Sequence, residues 1–146
     1  MEPAPLTPSI HPARFAVVRA SIFAQHDELQ RLTRASAALA GAAMRGDQPC
    51  QQELPRMLDT LLGKLQEHLE FEQSALLAPL RAEPKEREYA DRIAAEHVRQ
   101  RAELSRLTGE CWSGDLARLV AGLERFLLAL GADIAEEERW LLRRPD

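Results

Sequence analysis

The 146-residue chain is 45% hydrophobic and 29% charged but only 5% aromatic. It is long enough for one domain with its own core and poor in the residues that build strands. The formal net charge of −4 leaves no electrostatic footprint for nucleic acid. No run of 18 apolar residues offers a membrane span. The opening Met1-Glu2-Pro3-Ala4-Pro5 lacks the basic start and apolar stretch of a secretory signal. Cys50 and Cys111 stand far apart in the sequence and read as ordinary thiols of a reducing compartment, so a cytoplasmic protein is expected.

Residues 1–10, rich in proline, read as an irregular arm ahead of one domain over 11–146. The first helix is predicted from about Ser9–Ala13 to Arg45, closed by Gly46-Asp47, with the stripe Phe15, Val18, Ile22, His26, Leu29, Thr33, Ser36, Ala40. The second is predicted to open near Gln51, with Pro55 in its first turn, and to run to about Leu77 before Pro79 interrupts it. Its stripe is Leu54, Leu58, Leu61, Leu65, His68, Glu72, then Ala75 or Leu76. Pro84 suits the first turn of a third helix ending near Thr108-Gly109, with Tyr89 or Ala90, Ile93, His97, Leu104 and Leu107 inward. Ser113-Gly114-Asp115 offers caps for a fourth, carrying Leu116, Val120, Leu123, Leu127, Leu130, Asp133 or Ile134, Glu137 and Leu141. Four helices joined by short turns give an all-α, antiparallel up-down-up-down four-helix bundle.

The stripes carry six residues that belong in water: His26, His68, Glu72, His97, Asp133 and Glu137. His68 and Glu72, like Asp133 and Glu137, are four apart and so share a helix face. Burying three imidazoles and three carboxylates without partners is very unfavourable, because a charge loses its hydration in a low-dielectric interior. Bound cations remove that objection, and imidazole with carboxylate suits iron, manganese or zinc. Helical rise brings His26, His68, Glu72 and His97 level, whereas Asp133 and Glu137 come out about 10 Å off if the third turn is symmetric about Thr108–Ser113. Gly63 and Gly131, near the expected site, are open to three readings: close helix approach, a small-gas channel, or plain packing.

Gln25-His26-Asp27-Glu28-Leu29, then Glu67-His68-Leu69-Glu70-Phe71-Glu72 with Leu76-Leu77-Ala78-Pro79-Leu80, then Glu96-His97, resembles the hemerythrin-like (HHE cation-binding) family over about residues 13–143. The family's fourth element is a His-x-x-x-Glu, and Asp133-Ile134-Ala135-Glu136-Glu137 departs from it at the first position. The resemblance implies a non-haem centre of two iron ions, with zinc or manganese as substitutes. His26 and His68 would serve one ion and His97 the other, with Glu72 and Glu137 bridging. For Asp133 three outcomes stay open: direct ligation, action through a water, or a partial or empty site. Glu70 and Glu96 are candidates to orient the imidazoles.

The implied function is binding or sensing of O2, NO or peroxide, or iron handling, rather than a committed catalytic cycle. A peroxide- or oxygen-reducing di-iron enzyme and a metal-free helical interaction module are the alternatives. No nucleic-acid or membrane partner is expected; a homodimer or a separate signalling protein is left open.

Overall fold

A computed structural model describes residues 12–144; the arm assigned to residues 1–10, and His11, lie outside them. Four long helices make up the described chain. The first is Pro12–Met44 and the second Gln48–Glu72, which continues through a π-helical turn, Gln73–Leu77, into a last α turn, Ala78–Arg81. The third is Arg87–Ser113 and the fourth Leu116–Arg143. Each packs on its neighbour in sequence, and the fourth closes the ring against the first. No strand occurs among the described residues. This is the expected up-down-up-down bundle.

The turns differ in detail from the sequence expectation. Gly46 takes a φ of +95°, and Asp47 caps the second helix by accepting the Cys50 N–H at 3.0 Å. Such a cap contributes about 1 kcal/mol. The second helix therefore begins before Gln51, and Pro55 lies inside it rather than in its first turn. The carbonyl that loses its donor there belongs to Gln51, which is exposed to water. Nor does Pro79 stop the helix. A π turn just ahead of it, closed by the Ala78 N–H on the Gln73 carbonyl, adds a residue to one turn. Adjacent Leu76 and Leu77 consequently both reach the core, with Leu80 one turn on.

The third helix runs past Gly109 to Ser113. Gly114 ends it at φ +84°, where only glycine is unstrained, and Asp115 caps the fourth helix through the Arg118 N–H at 3.1 Å. This shifts the third turn and shrinks the expected height mismatch. His97 lies 17 residues before Gly114, Asp133 19 after it and Glu137 23 after it. Helical side chains lean toward their own N-termini, so His97 leans away from the turn and Glu137 toward it, and the two meet.

A polar layer divides the core. On one side lie Leu29, Leu54, Leu58, Leu61, Leu65, Leu104, Leu107, Leu123, Phe126 and Leu130 among others. On the other are Phe15, Val18, Ile22, Leu76, Leu77, Leu80, Ala90, Ile93 and Leu141. Burying one such Leu or Phe contributes about 1.5–3 kcal/mol. On the fourth helix the inward positions are Leu119 and Phe126, with the expected Leu116, Val120 and Leu127 only partly covered. Neither Gly63 nor Gly131 is needed for close approach: a Cβ on Gly63 would meet nothing within 4 Å, and one on Gly131 only Gln30 at 4.0 Å. Gly122 is the tight position, where a Cβ would lie 2.3 Å from Leu107 Cδ2.

Candidate metal centre

Each helix contributes to the polar layer between the two apolar clusters. His26 follows Ile22 on the first stripe; His68 and Glu72 follow Leu65; His97 follows Ile93; Glu137 precedes Leu141. All five are buried, Glu72 completely. One ligand atom from each of His26, His68 and Glu72 lies within 4.8 Å of the other two, and the same holds for Glu72, His97 and Glu137. Glu72 therefore belongs to both triads. The rings of His26 and His68 are 4.9 Å apart between centroids, and those of His68 and His97 6.4 Å.

Hydrogen bonding at the outer ring nitrogens sets which atoms face inward. His68 Nδ1 lies 2.7 Å from Gln25 Oε1, and His26 Nδ1 lies 3.3 Å from Glu138 Oε1. A ring N–H donating to these oxygens leaves Nε2 of each imidazole as the inward atom. His68 Nε2 then comes to 2.6 Å from Glu72 Oε2, and His97 Nε2 to 3.3 Å from the same oxygen. Neither Glu72 oxygen has an aligned hydrogen-bond donor, and Glu137 Oε1 is likewise buried without one. A nitrogen lone pair against a carboxylate is tolerable at these distances only with positive charge between them, whether a proton or a metal ion. The donor set and its orphaned oxygens thus fit metal ions.

The electrostatics agree. Burial, then the positive charge of His68, pushes His26 down to about 4, so it is neutral and competent as a ligand near neutral pH. Burial alone would raise Glu72, but the contacts from His68 and then His97 hold it at about 2. A carboxylate that stays ionised in a dry site is what two neighbouring cations require to offset their repulsion.

Asp133 is not in either triad. Its Oδ2 accepts from Arg99 Nη2 at 2.7 Å and Gln100 Nε2 at 3.0 Å. Ile134 takes the inward position beside it, and the Asp133 side chain stays 17% exposed at the bundle edge. The aspartate is short and leans toward its own N-terminus, down to the level of Gln100 rather than up to the pocket. Gln100 escaped the sequence reading. The signal was the gap between His97 and Leu104 in the inward stripe, which helical spacing requires one residue to fill. Gln25 and Glu138, not Glu70 and Glu96, sit at the outer imidazole nitrogens; Glu70 points to solvent. Gln25 carries no sequence signal beyond adjacency to His26, and Glu138 is hidden within an acidic run.

Comparison with curated proteins and with solved structures returns no match. A family model, the hemerythrin HHE cation binding domain, matches residues 18–144, which span all four helices and both triads. The chain belongs to the hemerythrin HHE cation-binding domain family.

Proposed function

We propose that this protein is a non-haem di-iron protein that binds or senses O2 or a related small oxidant such as NO or peroxide, or that handles iron. The observation that carries the reading is Glu72, buried with both oxygens orphaned and shared between two His/Glu triads. His26, His68 and Glu72 would hold one ion; Glu72, His97 and Glu137 would hold the other. Zinc or manganese suits the same imidazole and carboxylate atoms as iron. A bound iron pair supplies two one-electron couples and an open position for a small ligand.

The chain's own residues do the rest. Gln25 and Glu138 fix the imidazole planes from behind, which keeps both Nε2 atoms aimed inward before any ion arrives. Ile22, Leu65, Leu76 and Ile93 exclude water on both sides of the layer. The second triad has a single imidazole, and the carboxylate of Asp133 is held away from it by Arg99 and Gln100. That asymmetry makes the His97–Glu137 side the one with fewer imidazoles, one against two, and an incoming ligand would be expected there. It also favours a second reading, an enzyme that reduces peroxide or oxygen.

The test is anaerobic loading with ferrous iron followed by exposure to oxygen, watched by near-ultraviolet and visible absorption. Bands that appear with oxygen and vanish under argon support carriage or sensing. Bands that persist, with continuing peroxide consumption, support the enzyme. No spectral change after full loading overturns both.

A further inference from the structure

A buried hydroxyl that the metal pocket does not use belongs to Tyr89. Tyr89 lies two turns before His97 on the third helix, and Trp140 three residues after Glu137 on the fourth. Their rings stack at 4.0 Å between centroids with 10° between planes. Arg92 sits over the outer part of this pair, 5.3 Å from the Tyr89 ring centre, and Arg144 lies 5.4 Å from the Trp140 ring centre. The tyrosine ring is thereby clamped, with its Oη shielded from solvent and without a hydrogen-bond partner among the described residues.

A phenol buried with its hydroxyl unpaired is unfavourable, by the desolvation of a group that would otherwise bond to water. Clamping it by stacking and cation–π contacts holds that unfavourable state in place. Tyr89 and Trp140 pack on the cluster of Ile22, Leu76 and Ile93, which closes one side of the polar layer. Burial raises the phenol's pKa, and the negative charge of Glu72 raises it further, ahead of the influences of Arg92, Glu96 and Glu136. The helices that carry Tyr89 and Trp140 are also those that supply His97 and Glu137, the side of the centre with the fewer imidazoles. Natural sites that break a local rule of polar satisfaction do so where function requires it.

Resting on the proposed metal-centre reading, we infer that the Tyr89 hydroxyl is a ligand-recognition group, a hydrogen-bond donor to a small anionic or peroxide-like ligand entering on the His97–Glu137 side. The ligand class is a short, linear or diatomic species with a terminal acceptor atom. Trp140 is the positioning residue that holds the ring.

The test uses the full chain and Tyr89→Phe, which keeps the stack and removes only the hydroxyl. Azide is the probe, titrated into ferric-loaded protein and followed by its charge-transfer band, with iron per chain measured in both proteins. Tyr89→Phe should weaken azide about tenfold at unchanged iron content, the scale of one hydrogen bond to a charged ligand. In metal-free protein the same variant should melt about 2 °C higher, because an unpaired buried hydroxyl is gone. Equal azide affinity in the two proteins overturns the inference while leaving the metal reading intact. So does a lower melting temperature, since the hydroxyl would then already have a protein partner. If the parent chain takes up no iron at all, the reading of the site and this inference fall together.

Discussion

On the second helix His68 and Glu72 stand one turn apart and both face the pocket; on the fourth, Asp133 and Glu137 keep the same spacing and part company. The spacing alone places each pair on one helix face. What separates them is reach and company. His68 has a ring long enough to present Nε2 to the pocket, and Gln25 behind it at 2.7 Å to hold the ring there. Asp133 is short, leans toward its own N-terminus, and meets Arg99, two residues beyond His97, at 2.7 Å. An identical period therefore delivers two groups to the buried cluster from one helix and one from the other. The pocket inherits an asymmetry that no count of acidic and basic residues reveals.

The largest effect is expected at the shared carboxylate. Glu72→Gln keeps the shape but removes the charge that both triads use, so uptake should fall from two ions per chain to at most one, with affinity reduced by well over a hundredfold (on the order of 3 kcal/mol or more). Isothermal titration with elemental analysis checks it. Next in size is the response of the metal-free chain to acid. His26 titrates near 4 when folded but at its ordinary value of 6.5 when unfolded, so the unfolded chain binds the extra proton first. Stability should drop as pH falls from about 6.5 to about 4, by on the order of 3 kcal/mol from this group, and His26 should add nothing below that window. Denaturant melts across that range measure it, and bound metal, which competes with the proton for the imidazole, should blunt the fall.

Smaller effects belong to the groups behind the ring nitrogens. Gln25→Ala and Glu138→Ala should each weaken metal binding by about 10–100-fold. Gln25 should matter more, since its contact is 2.7 Å against 3.3 Å for Glu138. The smallest change is the most telling for the fourth helix. Asp133→Asn removes an ion pair whose Arg99 partner is 62% exposed, so stability should move by under about 1 kcal/mol. Metal affinity should stay within about twofold, since the Asp133 carboxylate is not in the pocket. A tenfold loss on competitive chelator titration would show that Asp133 swings inward to bind.

Much of this was legible in the chain. The stripe Phe15, Val18, Ile22, His26, Leu29 is inward throughout, and His68, Glu72, His97 and Glu137 come together on the strength of period and turn placement. Where the reading failed, the cause was local. Helix ends moved because the Asp47 start cap and the Gly114 stop outcompeted weaker signals, and moving the third turn, together with the lean of the His97 and Glu137 side chains, closed the height mismatch. Pro79 looked like a break because a π turn, which accommodates it, has no residue signature of its own. At residues 133 and 134 the pattern was ambiguous by one position. The choice fell to Ile134 because its apolar surface is better buried, a matter of packing that periodicity alone does not decide.

Imidazoles and carboxylates from four helices converge in one buried layer around Glu72, and the proposed function requires that layer to hold two cations. Anaerobic ferrous titration of the metal-free chain, with iron counted per chain and melting followed in parallel, tests it most directly. Saturation at two ions, accompanied by a large rise in melting temperature that Glu72→Gln abolishes, is the expected result. Saturation below one ion, or uptake that Glu72→Gln leaves untouched, would contradict it.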